Sequence, residues 1–180
     1  MSRARRGDGD AYAALVAAHQ ETTFRTAYLV LGDAAEAEDA AQEAFVRAYR
    51  ALDRFRDGEP FRPWVLRIAV NAARNRRRSA GRRAGLRMRA EAADAVGDAS
   101  APSAESSVVA AEQRRRLLDA VNELAPDDRL VIGARYFLDL TEVEIAALAG
   151  VARGTVKSRL SRARARLAQR LGATEDWTDG

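Results

Sequence analysis

The side chains that could do chemistry in this chain are mainly arginines, and they are concentrated in two segments that contain no acidic residue. The segment from Pro60 to Ala90 holds ten arginines, and the segment from Ala152 to Leu171 holds six arginines and one lysine. The whole 180-residue chain has a formal net charge of only +4, which leaves −13 on the other residues. Dense, unpaired guanidinium groups attract polyanions. The two basic segments are therefore candidate nucleic-acid-binding surfaces.

Other kinds of site are excluded by composition. The chain has no Cys and a single His, His19, which excludes thiolate nucleophiles, disulfides, Cys-containing zinc sites and almost every His-based catalytic triad. We expect His19 to be an incidental, partly buried helix residue, and we expect no enzyme activity, no metal and no cofactor. No apolar run approaches the roughly 18 residues of a membrane span, so we predict a cytoplasmic protein without membrane insertion.

The composition favours an all-α fold, because 47% of the residues are hydrophobic while Gly and Pro number only 12 and 4. Residues 82–107 are small or polar, and they show no apolar stripe after Met88. A long structureless segment is unusual inside one compact domain. We therefore predict two small helical domains, 8–80 and 109–172, joined by a flexible linker at 81–108.

The predicted first domain contains three amphipathic helices. The first ends at Gly32, and Asp33 with Glu36 three residues later predicts the start of the second. That second helix carries Asp39, Gln42 and Glu43 on a face that its apolar residues do not use. Dipole effects fade after the first helical turn, so they do not explain these acidic residues. A cluster of acidic residues that is separate from the basic segments suggests a second, basic partner.

The third helix of this domain begins near Pro63 and is cationic on its polar side. Four polar residues recur on that side at spacings of 4, 3 and 4: Arg67, Asn71, Arg74 and Arg78. Phe61 and Trp64 are interleaved with these cations, a pattern that suits single-stranded nucleic acid, whose unstacked bases stack on aromatic rings. The alternative is that both aromatic residues belong to the core.

The second domain is predicted to contain a helix-turn-helix. Thr141 and Glu144 form a capping box before a short helix, Gly150 makes a turn, and an amphipathic helix with many arginines follows. Such a helix fits the major groove of DNA, where its exposed N-terminal half contacts base edges. The candidate contacts are Arg153, Lys157, Ser158, Arg159, Ser161 and Arg162. The alternative is a helical hairpin with a solvated basic face.

Three runs of the sequence resemble the extracytoplasmic-function (ECF) group of the bacterial sigma-70 family. They are YLVLGDAAEAEDAAQEAFVRAYRAL, FRPWVLRIAVNAARNRRR and RYFLDLTEVEIAALAGVARGTVKSRLSRARARL, in that family's order. The resemblance covers most of both predicted domains and leaves out the N-terminus, the linker and the last residues. One departure is Ala152 and Arg153, where Pro or Ser followed by a small apolar residue is commoner.

The resemblance implies an RNA polymerase sigma factor. In this family the acidic helix binds the β′ clamp helices of core RNA polymerase, a role that maps onto Asp39, Gln42 and Glu43. The second domain reads the duplex −35 element through its recognition helix and docks on the β flap, for which no residues are assigned. The −10 element is melted and captured as a single strand, and the residues implied for that role are Arg56, Phe61, Arg62, Trp64, Arg67, Asn71 and Arg74.

The sequence leaves one further partner and two alternative functions open. Many members of the family are held by an anti-sigma factor, so such a protein is a candidate partner. The alternative function is a helix-turn-helix transcription regulator that binds duplex DNA without core polymerase. A helical enzyme acting on nucleic acid is a third reading, disfavoured because the sequence offers no metal-ligand cluster and no acid–base pair.

Overall fold

The structure is a computed structural model that describes residues 1–56, 58–87 and 108–172. These residues form α-helices joined by short turns, with one 3-10 turn at Leu52–Arg54. The α-helices are α1 (Ser2–Arg5), α2 (Gly9–Leu31), α3 (Ala34–Arg50), α4 (Phe61–Arg87), α5 (Val108–Asn122), α6 (Pro126–Tyr136), α7 (Glu142–Ala149) and α8 (Arg153–Leu171). The prediction of an all-α fold is confirmed.

The first domain is built on α2, α3 and α4, which pack against one another. Local sequence signals set the helix ends: Asp8 and Asp33 accept backbone N–H bonds from Ala11 and Glu36. Gly32 ends α2 with φ 76°, a conformation that costs glycine little because it has no Cβ. The C-terminal end of α2 and the start of α3 therefore lie where the sequence predicts them.

Helix α4 is longer than the sequence predicts. It continues to Arg87, so the predicted linker start at residue 81 lies inside a helix. Arg and Ala are strong helix formers, and the single Gly81 costs only about 1 kcal/mol relative to Ala. The remainder of the predicted linker, residues 88–107, and the last eight residues lie outside the described part of the chain.

In the second domain α7, the turn at Gly150 and α8 form the predicted helix-turn-helix. The capping box is complete, since the Thr141 hydroxyl accepts the Glu144 N–H while the Glu144 carboxylate accepts the Thr141 N–H. Gly150 ends α7 with φ 69°. The apolar face of α8 is buried against α6 and α7 as expected, through Val156, Leu160, Ala163 and Leu167.

Buried residues of the two domains form one common hydrophobic cluster, and a second cluster lies within the first domain. Helix α2 packs on α6, and α4 packs on α7. The largest cluster of buried residues includes Leu29 and Val70 of the first domain together with Leu130 and Leu148 of the second. A prediction based on periodicity treats each domain separately, because the pattern shows which face is apolar and says nothing about the element that covers it.

Three large apolar residues that follow the helical spacing of their apolar neighbours are half exposed. They are Tyr49, Leu118 and Phe137. Tyr49 packs against Tyr12 in a tilted arrangement, with 5.0 Å between ring centroids. Leu118 and Phe137 line the same groove between the domains as Phe24 and Tyr28. Each lies at the edge of its apolar stripe, where helical spacing does not distinguish a core position from a rim position.

Neither a membrane-spanning helix nor a metal-binding cluster is found among the residues of the described ranges. None of the helices there is long and apolar enough to cross a membrane. No group of three or more His, Asp or Glu side chains in those ranges is arranged to hold a metal ion.

The capping box of α7 predicts a pH-dependent contribution to stability. The hydrogen bonds from the Thr141 N–H and hydroxyl hold the pKa of Glu144 below its ordinary value. A lowered folded-state pKa stabilises the fold above the unfolded pKa, about 4.3 for Glu, and this contribution is lost as the pH falls through the folded pKa. Glu144→Ala should therefore lower the free energy of unfolding by about 0.5–1.5 kcal/mol at pH 7. The difference from the native chain should shrink below about pH 4. Urea unfolding followed by circular dichroism at several pH values measures this, and an unchanged difference at low pH would contradict it.

Candidate nucleic-acid interface

Most of the predicted base-contacting residues of α8 are accessible. Arg153, Lys157, Ser158, Ser161 and Arg162 are exposed on the helix, while its apolar face is buried. The Nε of Arg162 donates to the Ser158 carbonyl 3.2 Å away, which directs this guanidinium along the exposed face. The helix therefore presents one continuous polar and cationic surface.

Two of the predicted base-contacting arginines of α8 are held by carboxylates of the same domain. Arg153 contacts Glu142 at 3.1 Å and is itself largely exposed, so this surface ion pair contributes little free energy. The side chain of Arg159 is only 21% exposed, and its Nη1 lies 3.2 Å from Oδ2 of Asp127. Arg159 is thus the least accessible of the predicted base-contacting residues.

The cationic face of α4 lies against the second domain. Arg67, Asn71 and Arg74 line a cleft whose other wall is formed by residues 146–152 of α7 and its turn. Arg67 and Asn71 are exposed within this cleft. Arg74 donates to the carbonyl of Ala149 at 2.8 Å and to Oδ1 of Asp127 at 3.3 Å.

Arg62, at the start of α4, also reaches across the domain boundary. Its guanidinium donates to the Leu138 carbonyl, in the turn between α6 and α7. Asp139 follows in that turn with φ 57°, a conformation that Asp tolerates better than most residues. Two of the cations predicted to bind the single strand therefore bind backbone of the second domain.

The aromatic residues near the start of α4 divide between core and surface. Phe61 is 5% exposed and packs with Phe45 and Val65, so it does not offer a face to a base in this conformation. Trp64 is partly exposed at the edge of the cluster, with its ring centroid 4.9 Å from that of Phe55. Arg56, in the preceding loop, is exposed.

The single histidine is part of this aromatic cluster. The ring centroid of His19 lies 5.5 Å from that of Phe61, and the side chain is partly buried, as expected. Burial lowers the pKa of His19, and the nearby Arg62 lowers it further.

The acidic face of α3 is exposed but not free of cations. Arg76 of α4 contacts Glu36 at 3.1 Å, Asp39 at 3.2 Å and Glu43 at 3.5 Å. Burial alone would lower the pKa of Arg76, but these three carboxylates together raise it. The side chain of Asp39 keeps 60% of its surface exposed, and Gln42 is also exposed. The face thus presents carboxylates to solvent around one partly buried guanidinium.

Two residues that the sequence analysis did not single out join the domains. Asp127 contacts an arginine of α4 and an arginine of α8, and Arg129 is buried against the end of α2. Asp127 falls in the first turn of α6, where a carboxylate is common for reasons of helix dipole alone. Its second role depends on tertiary contacts, which the sequence pattern does not encode.

An apolar groove lies on the second domain away from the exposed face of α8. The groove is lined by Leu117 and Val121 of α5, Tyr136 at the end of α6, Phe137 directly after it, and Leu171 of α8. Tyr136 and Phe137 are about half exposed. Exposed aromatic residues in a groove often mark an interaction site.

Comparison with family models shows two matches that cover most of both domains. Residues 15–83 match Sigma-70 region 2, and residues 114–167 match Sigma-70, region 4. The first range contains the acidic face of α3 and the cationic face of α4, and the second contains the helix-turn-helix.

Curated relatives match along nearly the whole chain. The ECF RNA polymerase sigma factor SigW of Bacillus subtilis is 32% identical over 95% of this chain and 94% of its own length. The ECF RNA polymerase sigma-E factor of Escherichia coli K12 is 35% identical over 91% of this chain and 88% of its own.

Solved structures have the same fold. The sigma factor RpoE of Bartonella quintana, in complex with the anti-sigma factor NepR, superposes with a TM-score of 0.71 at 24% identity, covering 91% of this chain and 98% of its own. CnrH, in complex with the cytosolic domain of CnrY, gives a TM-score of 0.65 at 26% identity over 97% of this chain and 96% of its own. The family models and the curated relatives agree on one family. This chain belongs to the ECF group of the sigma-70 family, the RNA polymerase sigma factors that direct transcription initiation.

Proposed function

We propose that this sigma factor binds core polymerase, the −10 strand and the −35 duplex through three separate surfaces. The acidic face of α3 binds the β′ clamp helices of core RNA polymerase. The cationic face of α4 captures the melted −10 strand, and α8 reads the −35 duplex. The observation that carries this proposal is the separation of the charges: carboxylates are exposed on α3, and cations are exposed on α8. The sequence-based limits are residues 8–80 for polymerase and −10 binding, although α4 continues to Arg87, and residues 109–172 for −35 binding.

The recognition surface of α8 has the features that duplex reading requires. Lys157 and Arg162 are exposed in the half of the helix nearest the turn, from which side chains reach base edges. Ala152 at the N-cap offers no side-chain acceptor to the first N–H groups of α8. Such N–H groups bind DNA phosphates in many protein–DNA complexes.

The proposed −10 surface consists of Arg62, Arg67, Asn71 and Arg74 of α4, with Arg56 and Trp64 beside it. Captured bases offset the stacking lost on melting, which costs a few kcal/mol per base. Phe61 supports this surface from the core, since its ring lies 5.6 Å from that of Trp64. Neither domain alone offers much base-specific area, and joining them in one chain raises the effective concentration of the second contact.

The apolar groove at Tyr136 and Phe137 is our candidate surface for the β flap. It belongs to the second domain, the one expected to dock there, and it leaves the exposed face of α8 available to DNA.

The phosphodiester chemistry belongs to the polymerase, and we assign no catalytic residue to this chain. We place its action in the cytoplasm, where bacterial polymerase and DNA are found. The known complexes of its structural neighbours make an anti-sigma factor a candidate partner.

The direct test is run-off transcription with core RNA polymerase on a DNA library that has randomised −35 and −10 windows. We expect transcripts that depend on this chain and whose templates share two sequence elements. A mobility-shift assay with and without core enzyme accompanies it. Duplex binding without core, together with no initiation, would instead support a regulator that acts independently of polymerase.

Arg162→Ala should weaken promoter binding by about 1–3 kcal/mol and relax preference at one or two −35 positions, because a guanidinium bound to a base edge carries sequence information. Transcript sequencing from the randomised library measures both effects. Arg170→Ala is the matched control: Arg170 lies at the far end of α8 and pairs with Glu123. Unchanged −35 preference after Arg162→Ala would remove this residue from base recognition.

Asp39→Lys should lower affinity for core polymerase at least about tenfold, since it replaces attraction by repulsion at a charged interface. Titration of labelled core enzyme measures this, and circular dichroism verifies the helical content. Asp10→Lys makes the same charge change at an exposed position in the first turn of α2, away from the acidic face. Equal affinities of the native chain and the Asp39 variant would exclude this face from the interface.

A further inference from the structure

The apolar groove of the second domain extends to the end of α8. Leu171, the last residue of α8, lines it together with Leu167 and Arg164, so the groove follows the C-terminal half of this helix. Tyr136 and Phe137 also line it, and they are 54% and 47% exposed. Aromatic side chains left half in water along a groove favour a further apolar occupant.

The groove has the size of one aromatic side chain. Its volume is about 170 Å³, and an apolar cavity of about 150 Å³ accommodates benzene. Its lining consists of apolar and aromatic side chains and one arginine, Arg164. Arg164 makes no hydrogen bond or ion pair with another described residue, whereas Arg166 and Arg170 of the same helix each pair with a carboxylate. An occupant with one aromatic ring and a negative charge therefore fits this groove.

The sequence that follows α8 has both of these features. Residues 173–180 read ATEDWTDG, with three carboxylates, no cation and one aromatic side chain, Trp177. Gly172 ends α8 with φ 64°, the left-handed conformation in which a chain leaves the helix axis. This acidic segment, residues 173–180, therefore begins two positions after Leu171, which lines the groove.

The acidic segment is long enough to reach the whole groove. Arg164 precedes Leu171 by seven residues, which is about 10 Å along a helix. Trp177 follows Gly172 by five residues, and five extended residues span up to about 17 Å. The indole is therefore within reach of the groove. Glu175 and Asp176 directly precede Trp177, so they come within reach of the Arg164 guanidinium.

We propose that the acidic segment of this chain occupies the apolar groove of its own second domain, with the Trp177 indole among the apolar side chains and the carboxylates near Arg164. This inference rests on the proposed β flap role of the groove. The acidic segment and the β flap then exclude each other, so the segment weakens the binding of core polymerase. An occupant linked to its site by a short chain has an effective concentration in the millimolar range, so weak intrinsic affinity is sufficient.

The proposed contact is one that polymerase can displace. The indole supplies most of the attraction, because it is the only large apolar side chain of the segment. Arg164 is partly buried, and its pairing with carboxylates at the edge of the groove is weakened by salt. Displacement therefore removes one aromatic ring from the groove and leaves the helices around it in place.

The fluorescence of Trp177 tests the occupancy. The chain has two tryptophans, so Trp64→Phe leaves Trp177 as the only one. We expect a blue-shifted emission and a marked loss of acrylamide quenching relative to a synthetic peptide of sequence ATEDWTDG. Both should be independent of protein concentration. Protection that increases with concentration would place the segment of a second copy in the groove and overturn the intramolecular contact.

Ala168→Glu tests the groove from the other side. Ala168 lines the groove, so the new carboxylate fills it and repels the acidic segment. Glu is a strong helix former, and circular dichroism verifies that α8 is retained. The emission of Trp177 should shift to that of the free peptide. Gln169→Glu is the matched control: it adds the same charge at the next position, which is exposed and does not line the groove, and should leave the emission unchanged.

Arg164→Gln tests the charge at the edge of the groove. It removes the cation while keeping a long side chain, so we expect partial loss of the protection of Trp177 and a weaker dependence of that protection on salt. Arg166→Gln is the control, because Arg166 pairs with Asp128 and does not line the groove. Equal loss of protection in the two variants would exclude a specific role for Arg164.

Trp177→Ser tests the competition with polymerase. If the acidic segment fills the groove for about 80% of the time, its release should raise the affinity for core polymerase about fivefold. Titration of labelled core enzyme measures this. Thr178→Ala, beside the tryptophan, is the matched control and should leave the affinity unchanged.

The outcomes separate this inference from the proposed function. Chain-dependent initiation, with Trp177 emission equal to that of the free peptide, would overturn the inference while the function stands. Equal affinities of the native chain and Trp177→Ser for core polymerase would also overturn it. Failure of core binding and initiation, with Trp177 protected in the native chain and exposed by Ala168→Glu, would overturn the proposed function and leave the occupied groove supported.

Discussion

The arrangement of the two domains depends on a buried cation at the end of a helix. Gly32 ends α2 and donates to the Tyr28 carbonyl, which leaves the carbonyls of Leu29 and Val30 to accept bonds from Arg129. A Cβ at position 32 would lie 3.1 Å from that guanidinium, so glycine is needed there for space as well as for its positive φ. Because a buried charge is costly when unpaired, the position of α6 on α2 is closely defined. The placement of the helix-turn-helix follows from it.

The separation of acidic and basic residues along the chain has two consequences in the folded molecule. Exposed cations on α8 and exposed carboxylates on α3 suit different partners, a distinction that the net charge of +4 conceals. Several cations are nevertheless paired within the protein, among them Arg74 and Arg159 with Asp127 and Arg76 with the acidic face. Such pairs are individually weak at a surface, so polymerase or DNA can replace them with contacts of the same kind. The charged surfaces can therefore exchange ion pairs within the protein for contacts with polymerase or DNA.

Much of the local structure was predictable because its signals are short-range. The caps at Asp33 and Thr141, the turn at Gly150 and the buried face of α8 all depend on residues a few positions apart. The same reasoning failed at the end of α4, which extends to Arg87, because helix formers without a strong stop signal do not mark where a helix ends. Helical spacing also does not reveal that Phe137 is half exposed, because it shows which face is apolar but not how far the neighbouring element reaches.

By itself, the sequence determined the helix-turn-helix, the acidic and cationic helices and the family, since each depends on residue type at close spacing. Only the tertiary structure decided which charged groups are accessible. Lys157 and Arg162 are exposed, Arg62 and Arg74 bind backbone of the other domain, and Phe61 is buried. The physical reason is that pairing and burial join residues distant in the chain, 53 positions apart for Arg74 and Asp127. Periodicity within one helix carries no information about such a partner.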